Sequence, residues 1–183
     1  MVSQFISPHK VKLLGDLNFK FPEGTHAIGR LDNLSEGLLI LTTNKTITKR
    51  LFQASVPHKR IYLVQVKNDV SEESLLQLKS GVSIRVEGGL HYNTPPCAIS
   101  IIKNPESIVS DLNASKIYTP NTWLLITLYE GKYHQVRKMV AAVKHKCKRL
   151  IRVAIEELEL GDMKPGQVIE MEEKEFFRLL KIE

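Results

Sequence analysis

The run RIYLVQV (60–66) constrains this chain more than any other segment. On an extended backbone Tyr62, Val64 and Val66 share one face and Ile61 and Leu63 take the other, which makes it the clearest strand of the sequence. WLLITLYEG (123–131) reads as a second strong strand, and GLLILTT (37–43), opened by Gly37, as a short buried one. GVSIRV, CAISII (97–102), RLIRVAIEELEL (149–160) and QVIEM add further extended segments, the third of them turning polar toward its end and the last a closing strand. Helices are expected at KTITKRLFQA, capped by Asn44, and at EESLLQLKS, capped by Ser71 and ended by Gly81. Two more follow at HQVRKMVAAVKHK (134–146), with Val136, Met139, Val140 and Val143 inward, and at EKEFFRLLKI. Residues 103–122 hold prolines, asparagines and few periodic apolar positions and read as a loop or hairpin excursion. Strands outnumber helices and do not follow a repeating βαβ order. The expected class is α+β, with a mixed, largely antiparallel central sheet flanked by helices.

Charge narrows the partners. The net charge is +6 and the pI about 9.3. Between Lys132 and Arg152 eight basic residues occur with no Asp or Glu, whereas residues 156–183 hold nine acids against four bases. A concentrated positive stretch suits phosphate backbones, although it can also be a solvated helix face. The longest apolar runs, GLLIL and WLLI, fall well short of the roughly 18 residues of a membrane span. The first residues lack the layout of a signal peptide. Cys97 and Cys147 lie far apart without metal spacing, and the six histidines show no pair at ligand spacing. A cytoplasmic protein without metal, cofactor or membrane partner, and monomeric, is expected.

Three clusters could carry chemistry. Arg30 and Asp32 stand between Gly29 and the apolar run, where Asp32 is either a turn-capping carboxylate or a reactive one held by a stiff scaffold. EGKYHQVRK (130–138) joins a strand to a helix start and gathers Lys132, His134, Gln135, Arg137 and Lys138, a suitable place for phosphate or carboxylate. Tyr62, preceded by Lys59 and Arg60, suits stacking on a base beside a phosphate, and equally suits a core position.

Taken in order, GRLDNLSEGLLILTTN, KRIYLVQV and YEGKYHQVRKMV resemble the RNA pseudouridine synthases of the RsuA type, in particular the RluE-like branch that acts on large-subunit ribosomal RNA. NTWLLITLYEGKYHQVRKMVA and RLIRVAI…LELGDMKPG extend the resemblance over nearly the whole chain. The resemblance implies one catalytic domain over residues 1–183, two subdomains sharing a sheet around an RNA-binding cleft, without an S4 module. It implies that Asp32 is the catalytic aspartate, acting as nucleophile or base at the sugar or at C6, and that Tyr62 stacks on the target uracil. Arg137 is expected to pair with Asp32, and Arg30 to hold RNA around the flipped nucleotide. Leu150 or Ile151 falls where an aliphatic side chain packs in the site, Ile151 being the choice carried forward. Lys59, Arg60, Lys132, His134, Gln135 and Lys138 complete the expected RNA contacts. Two departures stand out: the usual apolar strand ending in Lys-Pro is missing before VSQF, and Glu156 occupies a position where Gly is common. The rivals are a non-catalytic basic RNA-binding module and an enzyme of small nucleosides. Both are tested by whether Asp32, Tyr62 and Arg137 meet in one cleft.

Overall fold

Elements run in the order β1 (His26–Ile28), β2 (Glu36–Gly37), β3 (Ile40–Thr42), α1 (Ile47–Phe52), β4 (Arg60–Lys67), α2 (Glu72–Ser80), β5 (Ser83–Arg85), β6 (His91–Asn93), β7 (Ala98–Ile102), β8 (Asn121–Leu128), α3 (Gln135–Ala142), β9 (Cys147–Ile155), β10 (Leu158–Glu159) and α4 (Glu173–Leu180). The computed structural model describes residues 1–52, 57–110, 112 and 120–182. The main sheet has the strand order β10-β9-β4-β8-β7, with antiparallel neighbours along that order and β2 added to β9 in parallel. This is the mixed, mostly antiparallel α+β architecture expected from the sequence. Two small antiparallel pairs, β1-β3 and β5-β6, stand beside it.

Strand β4 occupies the centre because both of its faces are apolar. Val64 and Val66 pack with Leu124, Ile126, Leu78 of α2 and Val136, Met139 and Val140 of α3. Leu63 packs on the opposite face with Ile151, Val153 and Leu112. A third cluster joins β1, β3, α1 and α4 through Ile28, Ile40, Ile47, Leu51, Leu180 and Ile155. Each fully buried side chain of this kind stabilises the fold by roughly 1.5–3 kcal/mol; two of the clusters hold strands to helices, and the third covers the other face of β4. Helix α2 starts where Ser71 Oγ accepts from the Ser74 N–H and ends at Gly81, whose φ is +99°. Asn44 Oδ1 accepts from the Thr46 N–H ahead of α1, as a capping residue should.

The structure departs from the sequence expectations in three places, at 37–43, at 167–171 and at the end of the helix expected over 134–146. Residues 37–43 do not form one strand. Gly37 closes β2 against β9, and only Ile40–Thr42 go on to pair with β1. Residues 167–171 form no strand, and the helix expected over 134–146 ends at Ala142. Of the excursion at 103–122, a 3₁₀ turn at Pro105–Ser107 and the start of β8 are described, and most of the rest lies outside the described residues. Glu156, unexplained by the sequence, sits at φ +50° in the turn between β9 and β10, which is the reason a glycine suits that place. Its carboxylate accepts from the Lys59 N–H and stands 3.6 Å from both His58 Nδ1 and Lys181 Nζ. The turn is thereby tied to the entry of β4 and to the end of α4.

Candidate active site

The segment Gly29–Asp32 leaves β1 as an irregular loop, and hydrogen bonds to it and to the turn that follows fix it. Ser3 Oγ donates to the Leu31 carbonyl at 2.9 Å and accepts from the Leu31 N–H at 3.0 Å, a double use open only to a hydroxyl. Arg30 Nη1 donates to Gln4 Oε1 at 3.0 Å. The Ser35 N–H donates to the Asp32 carbonyl at 2.8 Å, closing a turn just after the carboxylate. Arg137 reaches from α3 and donates through Nη2 to the Leu34 carbonyl and at 3.4 Å to Ser35 Oγ. Both flanks of Asp32 are therefore pinned by backbone contacts, while its side chain keeps 29% of its surface exposed, 3.7 Å from His134 Nε2.

A change of register in the sheet decides what faces that carboxylate. Ile61 stands opposite Ala154, but Tyr62 stands opposite Arg152, so Val153 is the extra residue of a bulge. Residues directly opposite each other in an antiparallel pair point to the same face. Tyr62 and Arg152 are thus side by side, and one step further Leu150 joins Val64 on that face while Ile151 joins Leu63 on the other. Arg152 is only 3% exposed, and its Nε donates to the Leu38 carbonyl at 2.8 Å. Burial lowers its pKa from the ordinary arginine value, with the Tyr62 hydroxyl and the Asp32 carboxylate among the groups acting in the opposite direction.

The remaining wall comes from residues 128–136. Gln135 is buried and donates to Glu130 Oε1 at 2.6 Å, while its own carbonyl accepts from the Lys132 N–H at 2.8 Å. The Tyr92 hydroxyl holds the second oxygen of Glu130. Arg60 reaches beneath this turn: a Cβ at Gly131 would lie 2.6 Å from its Nη1. Burial lowers the Arg60 pKa, opposed by Tyr62 and Glu130. Together these elements enclose a cleft of about 630 Å³ in which Asp32, Tyr62, Arg30, Arg60, Lys132 and Arg152 meet. Four cations against two carboxylates, Asp32 and Glu130, give the cleft a positive lining suited to a polyanion.

Residues 9–142 match the family model described as RNA pseudouridylate synthase. The chain belongs to that family. It is 33% identical over 169 residues to a ribosomal large subunit pseudouridine synthase E of Vibrio parahaemolyticus, covering 91% of this chain and 67% of the relative. It is 32% identical over 175 residues to an RNA pseudouridine synthase of Aquifex aeolicus, covering 96% of this chain and 63% of that one. A crystal structure of a pseudouridylate synthase superposes with a TM-score of 0.66 at 26% identity, covering 88% of this chain and 63% of that chain. The chain thus spans about two thirds of the length of these three proteins.

Within this pseudouridylate synthase fold the residues singled out from sequence divide into two groups. Asp32, Tyr62, Arg30, Arg60, Lys132 and Gln135 line the cleft, and His134 touches it through Asp32. Gln135 does so as a brace, because both ends of its amide are engaged within the chain. Arg137 does not pair with Asp32. It stands one helical turn beyond His134 and so meets the loop further on, at Leu34 and Ser35, with Nη1 donating to Cys147 Sγ at 3.5 Å. Ile151 is turned to the far face by strand alternation, and Leu150 lines the cleft in its place. The Lys59 N–H is engaged by Glu156, and the Lys138 ammonium lies over the Tyr133 ring, both outside the cleft lining.

Sequence reasoning missed Arg152 as a site residue, counting it only within the basic stretch. Its alternation with Leu150 was a signal, but the bulge that brings it opposite Tyr62 was not legible. Arg152→Met is expected to lower stability by about 2 kcal/mol, because the Leu38 carbonyl loses a charged donor. Arg152→Lys should fare almost as badly, since lysine keeps the charge and lacks the Nε donor. Urea unfolding measures both, and a lysine variant as stable as the wild type would remove this tether from the account.

Proposed function

We propose that this protein isomerises uridine to pseudouridine in RNA, with ribosomal RNA of the large subunit as substrate and the cytoplasm as its place of work. The observation that carries this reading is the meeting of Asp32 and Tyr62, far apart in sequence, in one positively lined cleft. The reaction breaks the bond from C1′ to N1 of the uracil, turns the base, and forms a bond from C1′ to C5. The C5 proton is lost and N1 gains one, so atoms balance with no external reagent. A uridine inside a helix cannot present these atoms, and extruding it costs a few kcal/mol. Phosphate contacts from Arg30 and Lys132 at the exposed mouth offset that cost, and Tyr62 receives the base.

Asp32 supplies the reacting carboxylate. Arg152, beside Tyr62 on the same face of the sheet, holds the phenol in place and adds positive charge on the side of the cleft that faces Asp32. Arg137 sets the position of Asp32 through the loop backbone rather than through its charge. The test is to map pseudouridines in large-subunit ribosomal RNA from cells with and without this protein. A uridine that is modified only in its presence, and is modified by the purified protein on a transcript of the same RNA, is the expected result. Identical maps, together with no product on the transcript, would leave a basic RNA-binding module as the better description.

A further inference from the structure

One wall of the cleft ends in two aromatic rings in contact. Tyr133 is 71% exposed and lines the mouth, and its ring stacks on that of His134 at 3.9 Å with an interplanar angle of 18°. Side chains of consecutive residues ordinarily diverge. These two are brought parallel because His134 stands in the left-handed region, at φ +55° and ψ +30°. A residue other than glycine keeps that conformation only where its surroundings hold it, and such residues gather at ligand clamps. Here the Lys138 N–H donates to the His134 carbonyl at 3.0 Å, in the first turn of α3. The inner ring, His134, has its Nε2 3.7 Å from Asp32 Oδ1. Carboxylate, imidazole and phenol thus form a row leading from the cleft toward solvent.

The surroundings of the outer ring suit a nucleotide. The Lys138 ammonium lies over the Tyr133 ring, 5.3 Å from its centre, and Tyr129, which also lines the cleft, is 55% exposed. Every base has a flat face that can stack on such a ring whatever its identity, and the flexible Lys138 side chain, displaced from over the ring by that base, would find the attached phosphate close by.

We propose that Tyr133 is a stacking platform for the base adjacent to the extruded uridine, with Lys138 contacting a phosphate of that nucleotide. The proposal rests on the reading of the cleft as an RNA site. Extrusion deprives the neighbouring base of its stacking partner, and the Tyr133–His134 pair replaces it. Because stacking is tolerant of base identity, the platform accepts any unstacked base in a single-stranded or loop segment.

The test uses the whole protein and a uridine decamer carrying one internal 2-aminopurine, whose fluorescence falls when it stacks. Wild type, Tyr133→Phe and Tyr133→Trp are expected to bind it and quench the probe. Tyr133→Leu is expected to lose the quenching and to bind about tenfold more weakly, with an unchanged dependence of affinity on salt. Lys138→Ala should instead make the slope of log affinity against log salt shallower by about 0.7, the signature of one lost phosphate contact on a single strand. Wild-type affinity and quenching in Tyr133→Leu would overturn the proposal, as would an equal loss in Tyr133→Phe, which keeps the ring. None of these readouts needs turnover. Failure of the wild type to form pseudouridine would therefore count against the enzymatic reading and leave the platform to be judged by the quenching.

Discussion

Asp32→Asn is expected to reduce pseudouridine formation on ribosomal RNA to below about a thousandth of the wild-type rate, with the fold unchanged. The substitution is close to isosteric, and the contacts that fix this loop do not use the carboxylate. Ser3 grips the backbone of Leu31, the Ser35 N–H donates to the Asp32 carbonyl, and Arg137 donates to the Leu34 carbonyl. An amide in the same place keeps the shape and loses the negative charge and the basicity that the reaction needs. Circular dichroism and the thermal midpoint should therefore match the wild type, and RNA affinity should hold or rise slightly as a negative charge leaves a site that binds phosphates. Turnover above about one per cent in a preparation free of wild-type enzyme would mean that another group reacts.

A large effect on stability is expected at Gly37. Gly37→Ala should destabilise the protein by more than about 3 kcal/mol, from two sources that add. The residue sits at φ +100°, where an alanine is strained, and its Cβ would collide with the backbone carbonyl oxygen of Arg152 and lie 2.8 Å from its nitrogen. That backbone cannot yield cheaply. Gly37 pairs with Arg152 in the β2–β9 ladder, the Leu38 N–H donates to the Arg152 carbonyl at 2.8 Å, and the Leu38 carbonyl accepts from Arg152 Nε. Gly24→Ala is the control, because φ there is +78° and nothing lies within 4 Å of the added carbon. It should cost about 1–2 kcal/mol, from backbone conformation alone. Urea unfolding of both variants separates the two sources, and equal losses would show that the close approach of β2 to β9 matters little. Because Arg152 neighbours Tyr62, Gly37→Ala should also impair whatever activity survives.

Much of the fold is legible locally. The alternation in RIYLVQV places apolar side chains on both sides of β4, and a strand of that kind has no stable place except between two covered faces. The caps of α2 follow from Ser71 and Gly81, and the inward stripe of α3 from Val136, Met139 and Val140. Failures came where a residue's role depends on a partner distant in sequence. The apolar run 37–43 looks like a single strand because its composition is uniform. It divides because β2 and β3 answer to different partners, β9 and β1. Arg137 was expected at Asp32 from the family pattern, and the pitch of α3 carries it on to Leu34 and Ser35.

The residues read in order establish the kind of protein this is: the α+β class, most of the helices and long strands, the basic stretch, and the segment GRLDNLSEG that carries Asp32. These are properties of neighbouring residues, set by covalent geometry, side-chain periodicity and local hydrogen bonding. Which side chains share the cleft is settled by long-range packing. One bulged residue, Val153, sets the register of β9 on β4, and with it brings Arg152 and Leu150 to the face of Tyr62 and sends Ile151 to the other. Register is fixed by the summed packing of both faces against elements far along the chain, and no local pattern encodes that sum.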